Sequence, residues 1–198
     1  MLVAFAYKAR SGKDLATSYL VEKYGFARLS FAQPVKEAIK IIYGWTEEHV
    51  NGDLKEVLDP FWDITPRVAM QRFATQACRD QLRIDIWVKS LEKKIVDNPT
   101  TNFVISDLRF PNEASMVRSR SGYIVHLNRP KELRIINLQQ EEANKHVSET
   151  ALDNFKGWAY SVKNDSTKEL FYQQLDIMMQ VLDTVHELGD KFLQGAAE

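Results

Sequence analysis

The chain contains a single cysteine, Cys78, among its 198 residues. One thiol can form neither an intrachain disulfide nor a cysteine-based metal site, so we interpret Cys78 as a small buried residue in a reducing compartment. Long apolar runs are also missing: nothing approaches the ~20 residues of a membrane span, and Met1-Leu2-Val3 lacks the basic start of a signal peptide. We therefore expect a cytoplasmic protein, in the host cytoplasm if it is viral, with no membrane partner.

Neither sign of charge is in excess, because 26 lysines and arginines stand against 27 aspartates and glutamates. The formal net charge is -1 and the sequence pI is about 6.4, so no overall field attracts nucleic acid. A DNA-binding accessory protein is a weak alternative, which binding that falls steeply with salt would revive. With 44% hydrophobic residues, the chain is long enough for one core and too short for two full-sized domains.

Short apolar runs alternate with helical patterns along the chain. Five of these runs suit buried strands, because each is apolar, β-branched or aromatic and is bounded by turn or polar residues. The alternation predicts an α/β fold in three layers, a five-stranded parallel sheet with helices on both faces. The predicted strands are Leu2–Ala6, Ala27–Phe31, Asn102–Ser106, Tyr123–Leu127 and Trp158–Val162.

Two other segments stand out in the pattern. The stretch from Tyr43 to Pro66 is irregular and indicates a long excursion from the sheet. A final helix is predicted from about Thr167 to Phe192, with one apolar stripe that suits the core or a partner. The stripe consists of Leu170, Gln174, Leu175, Met178, Val181, Leu182, Val185 and Leu188.

The first strand leads into the segment Tyr7–Asp14, which reads YKARSGKD and has the loop length of G-x-x-x-x-G-K-[ST]. A strand that turns into a helix points backbone N–H groups and the positive helix end at one spot, where Lys13 adds a charge for phosphate oxygens. We predict a nucleotide phosphate site, with Lys13 at the surface and contributing little to packing. The alternative is an ordinary turn with a solvated lysine. The site residues are Lys8, Ala9, Arg10, Ser11, Gly12, Lys13 and Asp14.

Two positions of this loop depart from the pattern. Tyr7 replaces the first glycine, whose backbone shape a bulky residue enters only with strain. Asp14 replaces the hydroxyl residue, and its carboxylate can hold Mg²⁺ directly or through water because the ion prefers oxygen ligands. Tyr7 therefore puts nucleotide binding in question, whereas Asp14 is a candidate metal ligand.

Charged residues also follow the third predicted strand. Asp107 can organise a metal or accept a proton, and the guanidinium of Arg109 can hold a phosphate in a bidentate fork. Glu113 is placed to brace Arg109 from the first turn of the next helix. The structural alternative is a helix cap for Asp107 and a surface ion pair for Arg109, and the loop at Lys13 favours the functional interpretation.

A further helix is predicted to begin at Thr65-Pro66, since threonine caps a helix and proline is tolerated in its first turn. Polar residues then recur every four positions, on neighbouring sides of one face, and form either a binding surface or a solvated stripe. Beyond them, Trp87 either stacks on a base or fills the core. The polar residues are Arg67, Gln71, Thr75 and Arg79.

Basic residues flank the long polar segment after the fourth strand. Arginines on a lid that closes over transferring phosphates exclude water and neutralise charge in the transition state. A solvated charged helix is the alternative. These basic residues are Arg129, Lys131, Arg134, Lys145 and His146.

In this order and spacing, the segments resemble the bacteriophage-type deoxynucleoside monophosphate kinases, a branch of the P-loop nucleoside monophosphate kinase-like enzymes. The resemblance runs nearly end to end. It departs from the family at Tyr7, at Leu15, where a threonine often follows the aspartate, and at Ala74, where the family has a glycine. It is carried by Lys8–Asp14, by Thr65-Pro66-Arg67 with Gln71, Thr75, Arg79 and Trp87, by Ser106–Glu113, by His146–Glu149 and by Asn164–Thr167.

The resemblance implies transfer of the γ-phosphoryl group of ATP, with Mg²⁺, to a deoxynucleoside 5′-monophosphate. It implies one P-loop kinase domain over residues 1–198, with an acceptor-binding helical region at about 32–100 and a lid at about 128–148. A homodimer through the C-terminal helix is also expected. The implied roles are catalysis for Lys13, Asp107, Arg109 and Arg129, metal binding for Asp14 and Asp107, and acceptor binding for Arg67, Gln71, Thr75, Arg79, Trp87 and Glu113.

Two other functions stay open. Animal phosphomevalonate kinases are similar around the S-G-K-D loop, which allows a non-nucleotide acceptor. A nucleotide-binding module without catalysis is the second, because Tyr7 disturbs the loop pattern, although the charges at Asp107 and Arg109 speak against it.

Overall fold

A computed structural model describes residues 1–134 and 150–195, with side chains described as far as residue 189. The chain forms two compact units. The first comprises Met1–Leu29 and Asn98–Glu198, and the second comprises Ser30–Asp97. The region of about 32–100 that the sequence assigns to the acceptor nearly coincides with the second unit, and its role there stays a prediction.

The first unit is built on five parallel strands in the order β2-β3-β1-β4-β5, which confirms the predicted sheet. The second strand ends at Leu29, short of the predicted Phe31, because Ser30 accepts hydrogen bonds from Ala32 and Gln33 and turns the chain. The strands are β1 (Leu2–Ala6), β2 (Ala27–Leu29), β3 (Phe103–Leu108), β4 (Tyr123–Asn128) and β5 (Tyr160–Lys163).

Helices occupy most of the segments between the strands. In addition there is a 3₁₀ helix at Asp53–Glu56 and a π-helix at Phe73–Arg79. None of the helices in the described part of the chain is long and apolar enough to cross a bilayer. The α-helices are α1 (Lys13–Tyr24), α2 (Gln33–Tyr43), α3 (Glu47–Val50), α4 (Pro66–Arg72), α5 (Ile86–Asp97), α6 (Pro111–Ser119), α7 (Lys131–Arg134) and α8 (Lys168–Gly195).

The core of the first unit lies between the sheet and the pair α1 and α8. Val3 and Phe5 of β1 point into this cluster and meet Leu20 of α1 and Phe171 and Leu175 of α8. The intervening residues of β1 are buried as well, as expected for a central parallel strand covered on both faces. Helix α6 contacts β1 and β4 as well.

Helix α8 has two apolar faces, and not the single stripe that the sequence predicts. Its buried face is Phe171, Leu175, Met178, Met179 and Leu182. Leu170, Ile177, Val181, Val185 and Leu188 are 41–61% exposed. The predicted stripe contains residues from both faces. Residues three and four apart lie on one side of a helix only over a few turns, and the exposed apolar face lies roughly 100° around the helix axis from the buried one.

The second unit has its own core, centred on Trp45, Met70, Cys78 and Trp87. Cys78 is 5% exposed, and burial raises the pKa of its thiol, which confirms its interpretation as a small buried residue. The predicted excursion of residues 43–66 contains α3, the 3₁₀ helix and a single antiparallel bridge between Asp59 and Ile64.

Candidate active site

The carboxyl ends of three neighbouring strands, in the order β3-β1-β4, carry the predicted catalytic residues of the first unit. Tyr7–Asp14 follows β1, Asp107 is the next-to-last residue of β3, and Arg129 follows β4. Because the strands are parallel, these positions lie along one edge of the sheet, which is where α/β proteins bind ligands. The structure thus brings Lys13, Asp107, Arg109 and Arg129 to the same edge.

The loop after β1 curls around the ammonium group of Lys13. Its Nζ donates hydrogen bonds to the carbonyls of Tyr7 at 2.8 Å and Lys8 at 2.7 Å, and Lys13 is only 8% exposed. The expectation of a surface lysine that contributes little to packing is therefore wrong. Lys13 holds the loop as well as offering charge, since the loop wraps back over the first turn of α1.

Three residues of this loop have positive φ angles, namely Tyr7 at 112°, Arg10 at 60° and Gly12 at 101°. Gly12 precedes α1, and the helical hydrogen bonds begin with Ala16 N–H to its carbonyl. The N–H groups of the first turn therefore have no partner inside the helix. These groups, the positive helix end and the nearby ammonium form a donor set that fits the phosphates of a nucleotide.

Asn164, the first residue after β5, fastens this loop. Its side-chain amide donates to the carbonyl of Ser11 at 2.9 Å, its backbone N–H donates to Asn128 O at 2.8 Å, and it is 6% exposed. A Cβ on Gly12 would lie 2.4 Å from Nδ2 of Asn164. Glycine is thus required at position 12 both because the Asn164 side chain approaches so closely and because φ is positive there. Asn164 belongs to a segment that carries the family resemblance but was not predicted as a site residue; its place directly after a strand is the signal that could have identified it.

Tyr7 keeps the backbone shape of a glycine through contacts of its ring. The ring meets His126 edge-on, with centroids 4.3 Å apart at 87°, and the guanidinium of Arg134 lies 5.9 Å from the ring centroid. His126 stacks in turn on Trp158 at 4.8 Å, and burial lowers the pKa of His126. These ring contacts hold Tyr7 in the strained, positive-φ backbone conformation that the loop needs.

The two candidate metal ligands have different surroundings. The carboxylate of Asp14 is 84% exposed and forms an ion pair with Arg28 of β2. Asp107 is half-buried, and the pairing of β1 with β3 skips one residue of β3 between Ile105 and Leu108. Such a bulge changes the direction in which the next side chains point. Within the described residues, no three His, Cys, Asp or Glu side chains form a metal cluster. Mg²⁺ needs only one or two carboxylates beside waters and phosphate oxygens, so Asp14 and Asp107 stay predicted ligands.

Glu113 braces Arg109 through the backbone. The residue is 4% exposed, and its carboxylate accepts hydrogen bonds from the N–H groups of Arg109 at 2.7 Å and Phe110 at 3.0 Å. This is the glutamate half of a capping box at the start of α6. This burial does not support direct contact of Glu113 with an acceptor, and its two hydrogen bonds fix the turn that carries Arg109.

Arg129 and Arg134 begin the predicted lid. The Nε of Arg134 donates to the carbonyl of Arg129 at 2.9 Å, and Arg134 is 6% exposed. In the part of the chain that the structure covers, the buried Nε of Arg129 has no hydrogen-bond partner. The rest of the predicted lid, with Lys145 and His146, lies outside the described residues.

The predicted acceptor residues of the second unit lie along α4 and the π-helix. Thr65 caps α4 by accepting a hydrogen bond from Val68 N–H at 3.3 Å, as predicted. Arg67 is exposed and pairs with Glu56. Gln71 and Thr75 are exposed and Arg79 is half-buried, so this row of side chains faces outward. The sequence predicted the spacing but not the change from α-helix to π-helix at Phe73.

Trp87 lies in the core of the second unit. It is 8% exposed, and its indole N–H donates to the carbonyl of Ala74 at 3.0 Å. The buried ring does not support the prediction that it stacks on a base. Of the two readings of the sequence, the core placement agrees with the structure.

Comparison with known proteins decides the family. A profile described as deoxynucleotide monophosphate kinase matches residues 50–175. The chain is also 32% identical over 182 residues to "Putative deoxynucleotide monophosphate kinase" of Acanthamoeba polyphaga mimivirus, a match that covers 83% of this chain and 89% of the relative. The chain belongs to the deoxynucleotide monophosphate kinase family. This confirms the resemblance and makes the protein a phosphotransferase of the nucleotide kinase type.

Solved structures support the fold alone, because their identities are low. A protein of Thermus thermophilus matches with a TM-score of 0.58 and 13% identity, over 93% of this chain and 97% of its own. Shikimate kinase of Acinetobacter baumannii matches at 0.51 and 11%, over 92% and 93%. Dephospho-CoA kinase of Campylobacter jejuni matches at 0.50 and 17%, over 90% and 95%. The three-layer kinase architecture is therefore confirmed.

Proposed function

We propose that this chain transfers the γ-phosphoryl group of ATP to a deoxynucleoside 5′-monophosphate and releases the diphosphate. Family membership with a phosphate loop closed around Lys13 is the observation that carries the proposal. The reaction needs little covalent chemistry from the protein, so its residues act by position and charge.

The first unit supplies the groups for the phosphates. Lys13 and the N–H groups at the start of α1 bind the β- and γ-phosphates, and Asn164 keeps the loop in shape for them. Arg109 and Arg129 offset the charge on the transferring group, as guanidinium groups do in phosphoryl transfer. The acceptor's own phosphate is the nucleophile, so no strong base is required.

Asp14 and Asp107 would hold Mg²⁺, which neutralises phosphate charge when it is bound. The ion pair of Asp14 with Arg28 competes with the metal for the carboxylate. Asp14→Asn should therefore raise the Mg²⁺ concentration for half-maximal activity, whereas Arg28→Gln should lower it. Magnesium titrations that match the parent for both variants would remove Asp14 from the metal site.

The decisive experiment measures ADP release from ATP with each of the four deoxynucleoside monophosphates. Phosphomevalonate is the rival acceptor, and ATP binding without turnover on any acceptor would identify a silent module.

Lys13→Met keeps the length of the side chain but removes its charge, so turnover should fall by orders of magnitude. Lys89→Met removes an exposed lysine of α5 and is the control. Equal turnover of the two variants would refute the phosphate-loop assignment.

We also propose that the chain pairs with a second copy through α8. The exposed apolar face of that helix supports this, because a face of this kind on both copies is self-complementary about a two-fold axis. Sedimentation velocity should show a dimer at micromolar concentration. Val181→Glu on this face should dissociate it, and Gln180→Glu, on the neighbouring exposed side of α8, should not. A monomeric parent protein would refute the pairing.

A further inference from the structure

The helix that carries the predicted acceptor residues changes its winding halfway along. Helix α4 ends at Arg72 and continues without a break into the π-helix Phe73–Arg79. The wider turn is visible in the backbone, where Asp80 N–H donates to the carbonyl of Thr75, five residues earlier, at 3.0 Å. π-Turns are rare, and many of those known lie at functional sites.

This change of winding affects which side chains share a face. In an α-helix, residues four apart are rotated by about 40°, so three such steps would carry Arg79 about 120° away from Arg67. In a π-helix the backbone hydrogen bonds join residues five apart, and each turn contains more than four residues. A step of four residues within a π-helix is therefore less than one full turn. The rotation from Thr75 to Arg79, which lies wholly within the π-helix, therefore runs backwards and brings Arg79 back towards the line of Arg67 and Gln71.

A side chain from another helix holds the π-helix in place. The indole N–H of Trp87 in α5 donates to the carbonyl of Ala74 at 3.0 Å, inside the π-helix. The ring of Trp87 also packs near Phe73, with centroids 6.2 Å apart. A buried indole N–H needs an acceptor, and Trp87 finds it in the backbone directly before Thr75.

We propose that Trp87 is a positioning residue for the acceptor: through the Ala74 carbonyl it keeps the π-helix, which aligns Thr75 and Arg79 with Arg67 and Gln71. This rests on the proposed function, in which those four side chains hold the deoxynucleoside monophosphate. Trp87 then sets how well the acceptor binds without touching it. ATP binding, in the first unit, does not depend on it.

The chain offers a matched control in the same core. Trp45 is 6% exposed and donates its indole N–H to the side chain of Asp59 at 2.6 Å, so its hydrogen bond involves no residue of α4 or of the π-helix. Trp45→Phe and Trp87→Phe each remove one buried indole and its hydrogen bond. Both should lower the Tm by similar amounts. Only Trp87→Phe should raise KM for the acceptor, by about five- to twentyfold, with KM for ATP unchanged.

Two further measurements separate alignment from general loosening. Replacing Trp87 with benzothienylalanine keeps the bicyclic ring and deletes only the N–H, so it should reproduce the KM effect with a smaller loss of Tm. In the parent, the amide of Asp80 should exchange slowly with solvent, and in Trp87→Phe it should exchange at least tenfold faster relative to the amides of α5.

The outcomes are distinguishable. Equal acceptor KM values for Trp87→Phe and Trp45→Phe, or an unchanged KM with benzothienylalanine, would overturn the positioning role while the kinase function stands. A parent protein that accepts none of the four monophosphates would overturn the proposed function, and with it the acceptor role of Trp87. Unchanged exchange at Asp80 would overturn the claim that Trp87 holds the π-helix.

Discussion

Tyr7 shows how a single residue departs from a motif without destroying its shape. Most side chains avoid a φ of 112° because Cβ crowds the backbone. Here the ring contacts with His126 and Arg134 offset that cost. The departure from the glycine pattern is therefore compatible with a working phosphate loop.

At this position glycine should be more stable than alanine. Tyr7→Gly loses the ring but relieves the strain, whereas Tyr7→Ala loses the ring and keeps the strain. The difference should be ~1 kcal/mol or more in the free energy of unfolding, measured by urea titration. Ala9→Gly, in the same loop without a positive φ, should instead destabilise the protein. If Tyr7→Ala is as stable as Tyr7→Gly, the loop is not strained.

Asn164 is expected to act on ATP alone. Asn164→Ala leaves the Ser11 carbonyl without its donor, which costs about 1–3 kcal/mol, or roughly five- to 150-fold in KM for ATP if the loop shape governs binding. Asn102→Ala is the control, because that side chain accepts from the Met1 ammonium at the other end of the sheet. Steady-state kinetics with ATP and acceptor varied separately provides the test; equal shifts in both KM values would mean general loosening.

At the scale of elements, α1 and α8 are joined by a polar cluster around Asp176. Its carboxylate accepts hydrogen bonds from Tyr19 at 2.8 Å, Tyr24 at 2.7 Å and Lys23 at 2.8 Å. Burial, with the bond to Asp176, raises the pKa of Tyr24 to about 12. Burial by itself would raise the pKa of Asp176, but the bonds from Lys23 and the two tyrosines outweigh it and lower that pKa.

Asp176→Asn should therefore destabilise the protein in a pH-dependent way. Lys23 is 48% exposed, so solvent screening limits the loss to about 1–2 kcal/mol at pH 7. Because folding lowers the pKa of Asp176, its stabilisation is complete above the unfolded value of about 3.9 and is lost as the pH falls through the folded value. Urea titrations from pH 7 to pH 2 should show the difference between parent and variant shrinking. Asp97→Asn, which breaks an exposed pair with Lys93, should change little at any pH.

At the scale of the whole molecule, the two units should divide the substrates between them. If Arg67 and Arg79 hold the acceptor as proposed, Arg67→Ala and Arg79→Ala each remove charge-assisted hydrogen bonds of about 1.5–3 kcal/mol, so KM for the acceptor should rise roughly ten- to a hundredfold. KM for ATP should barely change. Arg72 is an exposed arginine of the same helix that lies off the line of Arg67 and Arg79. Arg72→Ala is therefore the control. If all three variants shift the two KM values alike, the acceptor binds elsewhere.

The sequence by itself determined the sheet and most of the loop that we propose as the phosphate site. Strand and helix patterns are local, since apolar periodicity depends on neighbouring residues, and the loop from Tyr7 to Asp14 is continuous in the chain. Because all strands of a parallel sheet run in the same direction, the residues that follow them lie at one edge of the sheet. For this reason Lys13, Asp107, Arg109 and Arg129 could be assigned to one edge without coordinates.

Only the tertiary structure decided what depends on contacts between distant segments. Asn164 reaches the loop from 153 residues away. The ring of Tyr7 contacts His126 of β4, which in turn stacks on Trp158. The burial of Lys13 and the π-helix under Trp87 likewise arise from packing. Local sequence carries helix propensity and spacing, but not which carbonyl a remote side chain will satisfy, because that is set only when the elements pack together.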